Sequence, residues 1–397
     1  MIDCFHNTRN RWLSPLLWAT ISLTIALSGQ YLLVFKNYGG NWTALFHTGD
    51  HGPLPPGIPG KVYVFKNSRG YDGQFYRYVA HDPLALNGLW KYVDDPVKRY
   101  ARILVPGLAN LVAGGQSTYI DKAYYVIVAM SLFFGTFWAG QWAMLHHMHP
   151  AWGLGFLLLP GTVISLWMMT VEIALLALTI AFAYYWRTGH QAGLYIALLL
   201  SALCREMGVI LLAGFCLWCV LRKSYLKSFA FATAFIPTGI WYIYIHTAIP
   251  GASSVMPSWV KCQPAIGMIL AFMKPAAYQT APDILPLIQL LDMLSIVGMI
   301  ILFFVTLRWL WVFPKSPITL SAGLHIGLGI VVNDLTFWRI PLGYTRPFST
   351  LFVLLGLQCL TPAPSAKEKW IALAAILVVC LRVLLQLAYT EGPGLVH

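Results

Sequence analysis

Residues 70–83, GYDGQFYRYVAHDP, place Asp72, Arg77, His81 and Asp82 among aromatic side chains in a chain that is 58% hydrophobic and only 10% charged. A carboxylate among rings, beside a basic stripe and at a membrane surface, can acquire the proton affinity that general base catalysis needs. Asp72 is the residue to single out for that role. The competing reading is local, because Asp followed by Gly is a turn signal; Asp82 before Pro83 carries an even stronger turn or capping signal. Further on, in VDDPVKRYARILVPGLA, Asp94 and Asp95 stand before Pro96, and Lys98, Arg99 and Arg102 form a basic stripe that enters an apolar helix. Such a stripe attracts phosphate at a membrane surface, and the plain alternative is interfacial anchoring. Glu172 and the pair Arg205 and Glu206 lie in or beside apolar runs, where an ionisable group is costly and counts as functional until a structural partner is found. For Glu172 the structural account is a carboxylate at a helix N-terminus, favoured by the dipole. Arg205 and Glu206 are adjacent and cannot face each other on a helix, so Arg205 is left wanting an anion.

The elements that must position these groups are membrane helices. The chain has 397 residues, 16 Trp and a mean hydropathy of +0.67, far from the roughly 25% charged residues of a soluble domain. Apolar runs long enough to cross ~30 Å of hydrocarbon recur along it, near 12–35, 120–145, 152–169, 170–187, 190–204, 207–222, 226–247, 285–308, 317–332, 345–361 and 369–389. The net charge of +12 is therefore read as topology signal and lipid-phosphate contact, with no nucleic-acid partner. Residues 102–115 are too short for a crossing and suit an interfacial helix. With that choice Arg9, Arg187, Arg222, Arg308 and Lys367 all face the cytoplasm, and about eleven spans follow. Residues 1–397 then read as a single transmembrane domain, with a first extracytoplasmic loop at 36–101 and a second large one at 248–284. The first loop, Glu172, Arg205, Glu206 and the stretch 333–346 converge on the outer face.

Weaker signals are set aside. The seven cysteines imply no disulfide framework, and Cys216 and Cys219, although at redox-motif spacing, read as small apolar filler on a hydrophobic helix. HHMH at 146–149 falls on the cytoplasmic side, where His near a span end is ordinarily interfacial. Asn41 opens a glycosylation sequon. The chain contains no HExxH, P-loop or GxSxG pattern, which argues against a membrane protease, an ATPase and a lipase-type hydrolase. The N-terminal span is read as uncleaved.

In order over residues 68–215, YDGQFYRYVAHDP, KRYARILVPGLANLVAGG, SLWMMTVEIALLAL and LSALCREMGVILL resemble bacterial C-type (GT-C) membrane glycosyltransferases, in a branch like the GPI mannosyltransferase group. GYTRPFSTLFVLLGL resembles the late arginine segment of that family, and Met207 departs from it where many relatives carry a small polar residue. The resemblance implies an all-α polytopic bundle in a bacterial inner membrane, with an extracytoplasmic active site. It also implies a polyprenyl-phosphate sugar donor, an acceptor that is a glycan, lipid or protein, and contact with membrane lipids. Asp72 takes the catalytic position, with Gln74, Tyr76 and Asp82 beside it and Arg99 and Arg102 on the interfacial helix; Glu172, Arg205, Glu206 and Arg346 match later positions. In such an enzyme Asp72 deprotonates the acceptor hydroxyl, and Arg102, Arg205 or Arg346 stabilises the departing lipid phosphate. Inversion at the anomeric carbon is expected. No cofactor is assigned, and no metal, although carboxylates can also serve as ligands. A transporter or flippase of lipid-linked glycans is the alternative; it would be expected to carry inverted repeats, of which no sign appears.

Overall fold

The computed structural model describes residues 10–250, 265–274, 276, 278, 284–312, 316–332 and 335–390. Helix α1 (Asn10–Tyr38) leads into a long loop. The loop holds a short 3-10 turn (Trp42–Phe46), a two-residue parallel pairing of Thr48–Gly49 with Val64–Phe65, and α2 (Asp72–His81). Two short helices follow, α3 (Pro96–Ala101) and α4 (Leu104–Val112). Then come α5 (Ser117–Leu145), a 3-10 segment (Pro150–Leu158), α6 (Pro160–Met168), α7 (Glu172–Thr188), α8 (Gln191–Cys204) and α9 (Glu206–Leu221). The remainder is α10 (Tyr225–Ala232), α11 (Phe235–Ala248), α12 (Ile266–Met273), α13 (Leu285–Val312), α14 (Pro317–Val331), α15 (Leu335–Arg339), α16 (Pro341–Cys359) and α17 (Ala366–Thr390).

The fold is all-α with a membrane protein's distribution of apolar side chains. Leu13, Leu17, Ile25 and Leu32 of α1, and Leu287, Leu290 and Phe304 of α13, face outward. The inward faces carry small or hydroxyl side chains that let helices approach, as where Thr136 of α5 donates to Ser22 of α1 at 3.0 Å. Helix α16 is the hub. Its residues from Tyr344 to Leu355 are buried on every side, the polar ones, Thr345, Arg346, Ser349 and Thr350, included.

Among the described residues, five helical segments are long and apolar enough to cross a membrane: Leu13–Tyr38, Ser117–Leu145, Tyr225–Ala248, Leu285–Val312 and Ala366–Leu387. A sixth is present if the segment Pro150–Leu158 and α6, bent by 63°, count as one. The hydropathy run at 152–169 is thus not a straight span, because Pro150 and Pro160 each start a new helix there. Helices α7, α8, α9 and α14 have 17, 14, 16 and 15 residues, or about 21–26 Å at 1.5 Å per residue, short of ~30 Å. Short helices bring their polar ends inside the depth of the bundle. Within the stretch expected as an interfacial helix at 102–115, residues 104–112 form α4, separated at Arg102 from α3 before it, and α4 shows Leu108, Leu111 and Val112 to the outside. Of the loop expected at 248–284, residues 251–264, 275, 277 and 279–283 lie outside the described residues.

Candidate functional site

Most ionisable groups of the candidate site sit at a helix end or a helix break, where the backbone stops using its own polar groups and side chains converge. Asp72 opens α2, Arg102 is the residue after α3, Glu172 opens α7, Arg205 is the extended residue between α8 and α9, and Glu206 opens α9. Arg346 is the sixth residue of α16. Two glycines hold these ends together. A Cβ on Gly73 would stand 2.1 Å from the carbonyl oxygen of Met168, so α2 packs directly on the break between α6 and α7. A Cβ on Gly208 would stand 1.8 Å from the carbonyl of Ser201, which seats α9 against α8. The Asp-Gly pair is therefore not a turn: Asp72 begins a helix, and Gly73 permits a close approach.

The side chains form one closed ring, in which charge alternates from Asp94 round to Arg102 and the Tyr76 hydroxyl joins the two ends. Arg99 donates to both oxygens of Asp72, at 2.8 and 2.5 Å, and to both of Asp94, at 2.9 and 2.8 Å. Arg346 donates to Asp72 at 2.7 Å and to Glu172 Oε1 at 2.9 and 2.6 Å. Glu172 also accepts from Arg205, whose Nε lies 3.5 Å from Glu206. Glu206 accepts from Arg102 at 3.0 Å and through a second, short bond, and Arg102 donates to the Tyr76 hydroxyl at 2.7 Å. Arg99 reaches the same hydroxyl at 3.4 Å and closes the ring. The aromatic residues around Asp72 support its partners: the Arg99 guanidinium lies 5.3 Å from the Phe75 ring and 5.5 Å from Tyr76, and Arg346 lies 5.1 Å from Tyr71.

Four arginines thus meet four carboxylates, Asp72, Asp94, Glu172 and Glu206, and the ring is neutral. Lys98, exposed and one turn before Arg102, adds an unmatched positive charge, since no ion-pair partner faces it among the described residues. Burial raises the Asp72 carboxyl's proton affinity, but Arg346 and Arg99 outweigh it and hold the group well below the ordinary carboxylate range. In this arrangement Asp72 is an anion that anchors guanidiniums.

Of the residues expected from the sequence, Asp72, Tyr76, Arg99, Arg102, Glu172, Arg205, Glu206 and Arg346 belong to the ring. Gln74 and Asp82 do not. Gln74 accepts from the amide of Gly49 at 3.2 Å and donates to the carbonyl of Arg69 at 2.8 Å, tying the loop to α2. Asp82 accepts from the amides of Leu86, Asn87 and Leu89 at 2.9–3.2 Å, the turn role that its place before Pro83 suggested. The neighbouring acids of DDP divide the work, Asp94 holding Arg99 while Asp95 caps α3 through the amide of Lys98 at 3.2 Å. HHMH holds local bonds, His146 to the Trp142 carbonyl and His149 as a cap for Ala151. Cys216 and Cys219 are free thiols. Among the described residues no three His, Cys, Asp or Glu side chains are grouped to hold a metal ion.

Two charged clusters were not anticipated. Arg77 pairs with Asp121 through bonds of 2.7–3.1 Å, with His81 3.2 Å from the same carboxylate, and pins α2 to α5. Arg382 of α17 donates to Asp292 of α13 at 2.7 Å, and Tyr278 donates to the other oxygen at 2.7 Å. Asp292 and Arg382 stand inside apolar runs, and that alone was a signal available in the sequence. No family model, curated protein or solved structure matches this chain.

Proposed function

We propose that the protein is an integral membrane glycosyltransferase of GT-C type, which moves a sugar from a polyprenyl-phosphate donor to an extracytoplasmic glycan, lipid or protein. The observation that carries this reading is the buried ring, in which Arg99, Arg102, Arg205 and Arg346 converge around Asp72 at the polar ends of apolar helices. A lipid-linked donor must keep its tail in hydrocarbon while its phosphate and sugar meet polar groups. Short helices ending in arginines beside exposed apolar residues of α4 supply that boundary. The reading includes about eleven spans, counting short helices as crossings, and an active site on the outer face of a bacterial inner membrane.

In the proposed reaction the acceptor hydroxyl oxygen attacks the anomeric carbon, the bond from that carbon to the phosphate oxygen breaks, and polyprenyl phosphate leaves with the electron pair. The hydroxyl proton passes to Asp72. Asp72 with three guanidinium contacts is too weak a base for this. The donor phosphate arrives at Arg102 and Arg205, which share Tyr76 with Arg99 and Glu172 with Arg346; as Arg99 and Arg346 shift with them, the Asp72 carboxylate regains proton affinity. Base strength is then tied to donor occupancy, and an unoccupied site does not activate water. Inversion follows from a single displacement.

The test is direct: purified protein in detergent is given isoprenoid-phosphate sugars and, separately, nucleotide sugars. Release of polyprenyl phosphate with the first set and no turnover of the second supports the reading. Turnover of a nucleotide sugar alone overturns it.

A further inference from the structure

The ring has one weak link, and it faces water. Glu206 accepts from Arg102 and lies against Arg205, yet its side chain is 48% exposed, whereas those of Arg102 and Arg205 are 2% and 8% exposed. Glu172, by contrast, is 1% exposed between Arg205 and Arg346. The carboxylate of Glu206 also leaves its seat incompletely filled. The Nε of the buried Arg205 lies 3.5 Å from it and makes no hydrogen bond. Lys98 stands one turn before Arg102, and its ammonium feels the charges of Arg102, Glu206 and Arg205 together. Two guanidiniums, the nearby Lys98 and the N-terminus of the 16-residue α9 therefore act on one exposed carboxylate.

We propose that Glu206 is a built-in stand-in for a phosphate group: the seat formed by Arg102, Arg205 and Lys98 binds the phosphate of an isoprenoid phosphate, and Glu206 swings out to water as the phosphate arrives. The proposal deepens the glycosyltransferase reading and rests on it for the identity of the lipid. In the empty seat the carboxylate compensates two buried guanidiniums, which otherwise cost several kcal/mol each to bury, and keeps them in binding-competent rotamers. A tetrahedral phosphate, with more acceptor oxygens than a carboxylate, reaches the idle Nε of Arg205 and the Lys98 ammonium together. Leaving-group chemistry fits as well, because the phosphate gains negative charge when its bond to the sugar breaks, and Glu206 in water no longer repels it. Glu206 is thus a positioning residue that competes with substrate.

The probe is citronellyl phosphate, with inorganic phosphate and citronellol as the other arms, measured by calorimetry on the full chain in detergent. Citronellyl phosphate binding at a site that citronellol does not occupy identifies the lipid phosphate; equal binding of inorganic phosphate identifies the headgroup alone as the ligand and overturns the isoprenoid assignment. Glu206→Gln removes the competing charge and is expected to bind citronellyl phosphate at least tenfold tighter, whereas Lys98→Gln, a surface change, binds it about tenfold more weakly. Should E206Q fail to fold, E206D takes its place with the same expected direction, since its shorter side chain withdraws the charge from the arginines. Unchanged or weaker binding in the folded Glu206 variant overturns the proposal, even if sugar transfer is intact. Tighter binding in a protein that transfers no sugar leaves this seat standing and removes the reading above.

Discussion

Replacing Asp72 by Asn separates the two things this residue does. Asp72 receives two bonds from Arg99 and one from Arg346, but neither guanidinium depends on it alone: Arg99 keeps two bonds to Asp94, and Arg346 keeps two to Glu172. The variant therefore does not leave a naked buried charge, the case that costs about 3–5 kcal/mol. Its amide group turns one acceptor into a donor facing a guanidinium, and an unmatched polar atom of this kind costs roughly 1–3 kcal/mol. The expected stability loss is a melting shift of a few degrees in detergent. The expected catalytic loss is larger, roughly 10²–10⁴ in rate for removal of a positioned base, or about 3–5 kcal/mol of barrier. Single-turnover release of polyprenyl phosphate, at saturating donor, reads that loss without confusion from binding. A folded Asp72→Asn protein that transfers sugar within tenfold of wild type refutes the assignment of Asp72 as base, and with it the coupling of base strength to donor occupancy.

Gly73→Ala forces a Cβ to within 2.1 Å of the Met168 carbonyl and 3.0 Å of the Phe46 carbonyl, both backbone atoms, so α2 must lift from the ring. The expected result is loss of transfer and a melting drop above about 5 °C; a melt indistinguishable from wild type contradicts the close packing. Asp82→Ala leaves three amides without their acceptor and should cost roughly 1–3 kcal/mol of stability with donor KM unchanged, and a tenfold rise in KM would return Asp82 to the substrate. For pH, Asp72 has a folded-state proton affinity below its unfolded value, so its stabilisation is fully present above the unfolded pKa of about 3.9 and is lost only as pH falls further. Thermal unfolding followed from pH 8 to 5 should show no change attributable to this ring in wild type relative to Asp72→Asn, and a difference that appears between pH 6 and 7 contradicts the ion pairing.

Sequence reasoning reached Glu172, Arg205 and Glu206 because ionisable groups are expensive among apolar runs and must meet partners there; it reached Asp72, Arg99 and Arg102 as an acid among rings near a basic stripe, and Tyr76 and Arg346 only through the family resemblance. Gln74 and Asp82 share the short motif with Asp72 but stand outside the ring, on another face of α2 or beyond its end. Nearness along a chain does not decide which way a helical side chain points. Asp94 was noted only as a neighbour of Pro96, because nothing in DDP tells which acid turns back to cap α3 and which reaches forward to Arg99.

The amino-acid sequence by itself determines that the chain is a bundle of apolar helices, since 58% hydrophobic residues in long runs leave the backbone no other way to satisfy its hydrogen bonds in hydrocarbon. It also determines which few charges must find partners. Only the tertiary structure decides who those partners are. Residues 72, 99, 172, 205 and 346 are joined through bonds across separations as large as 274 positions, made where helices meet in space rather than where motifs repeat. The same packing turns Asp72 from a turn residue into an arginine-held carboxylate, because proton affinity follows the charges that surround a group in space and not those beside it in the chain.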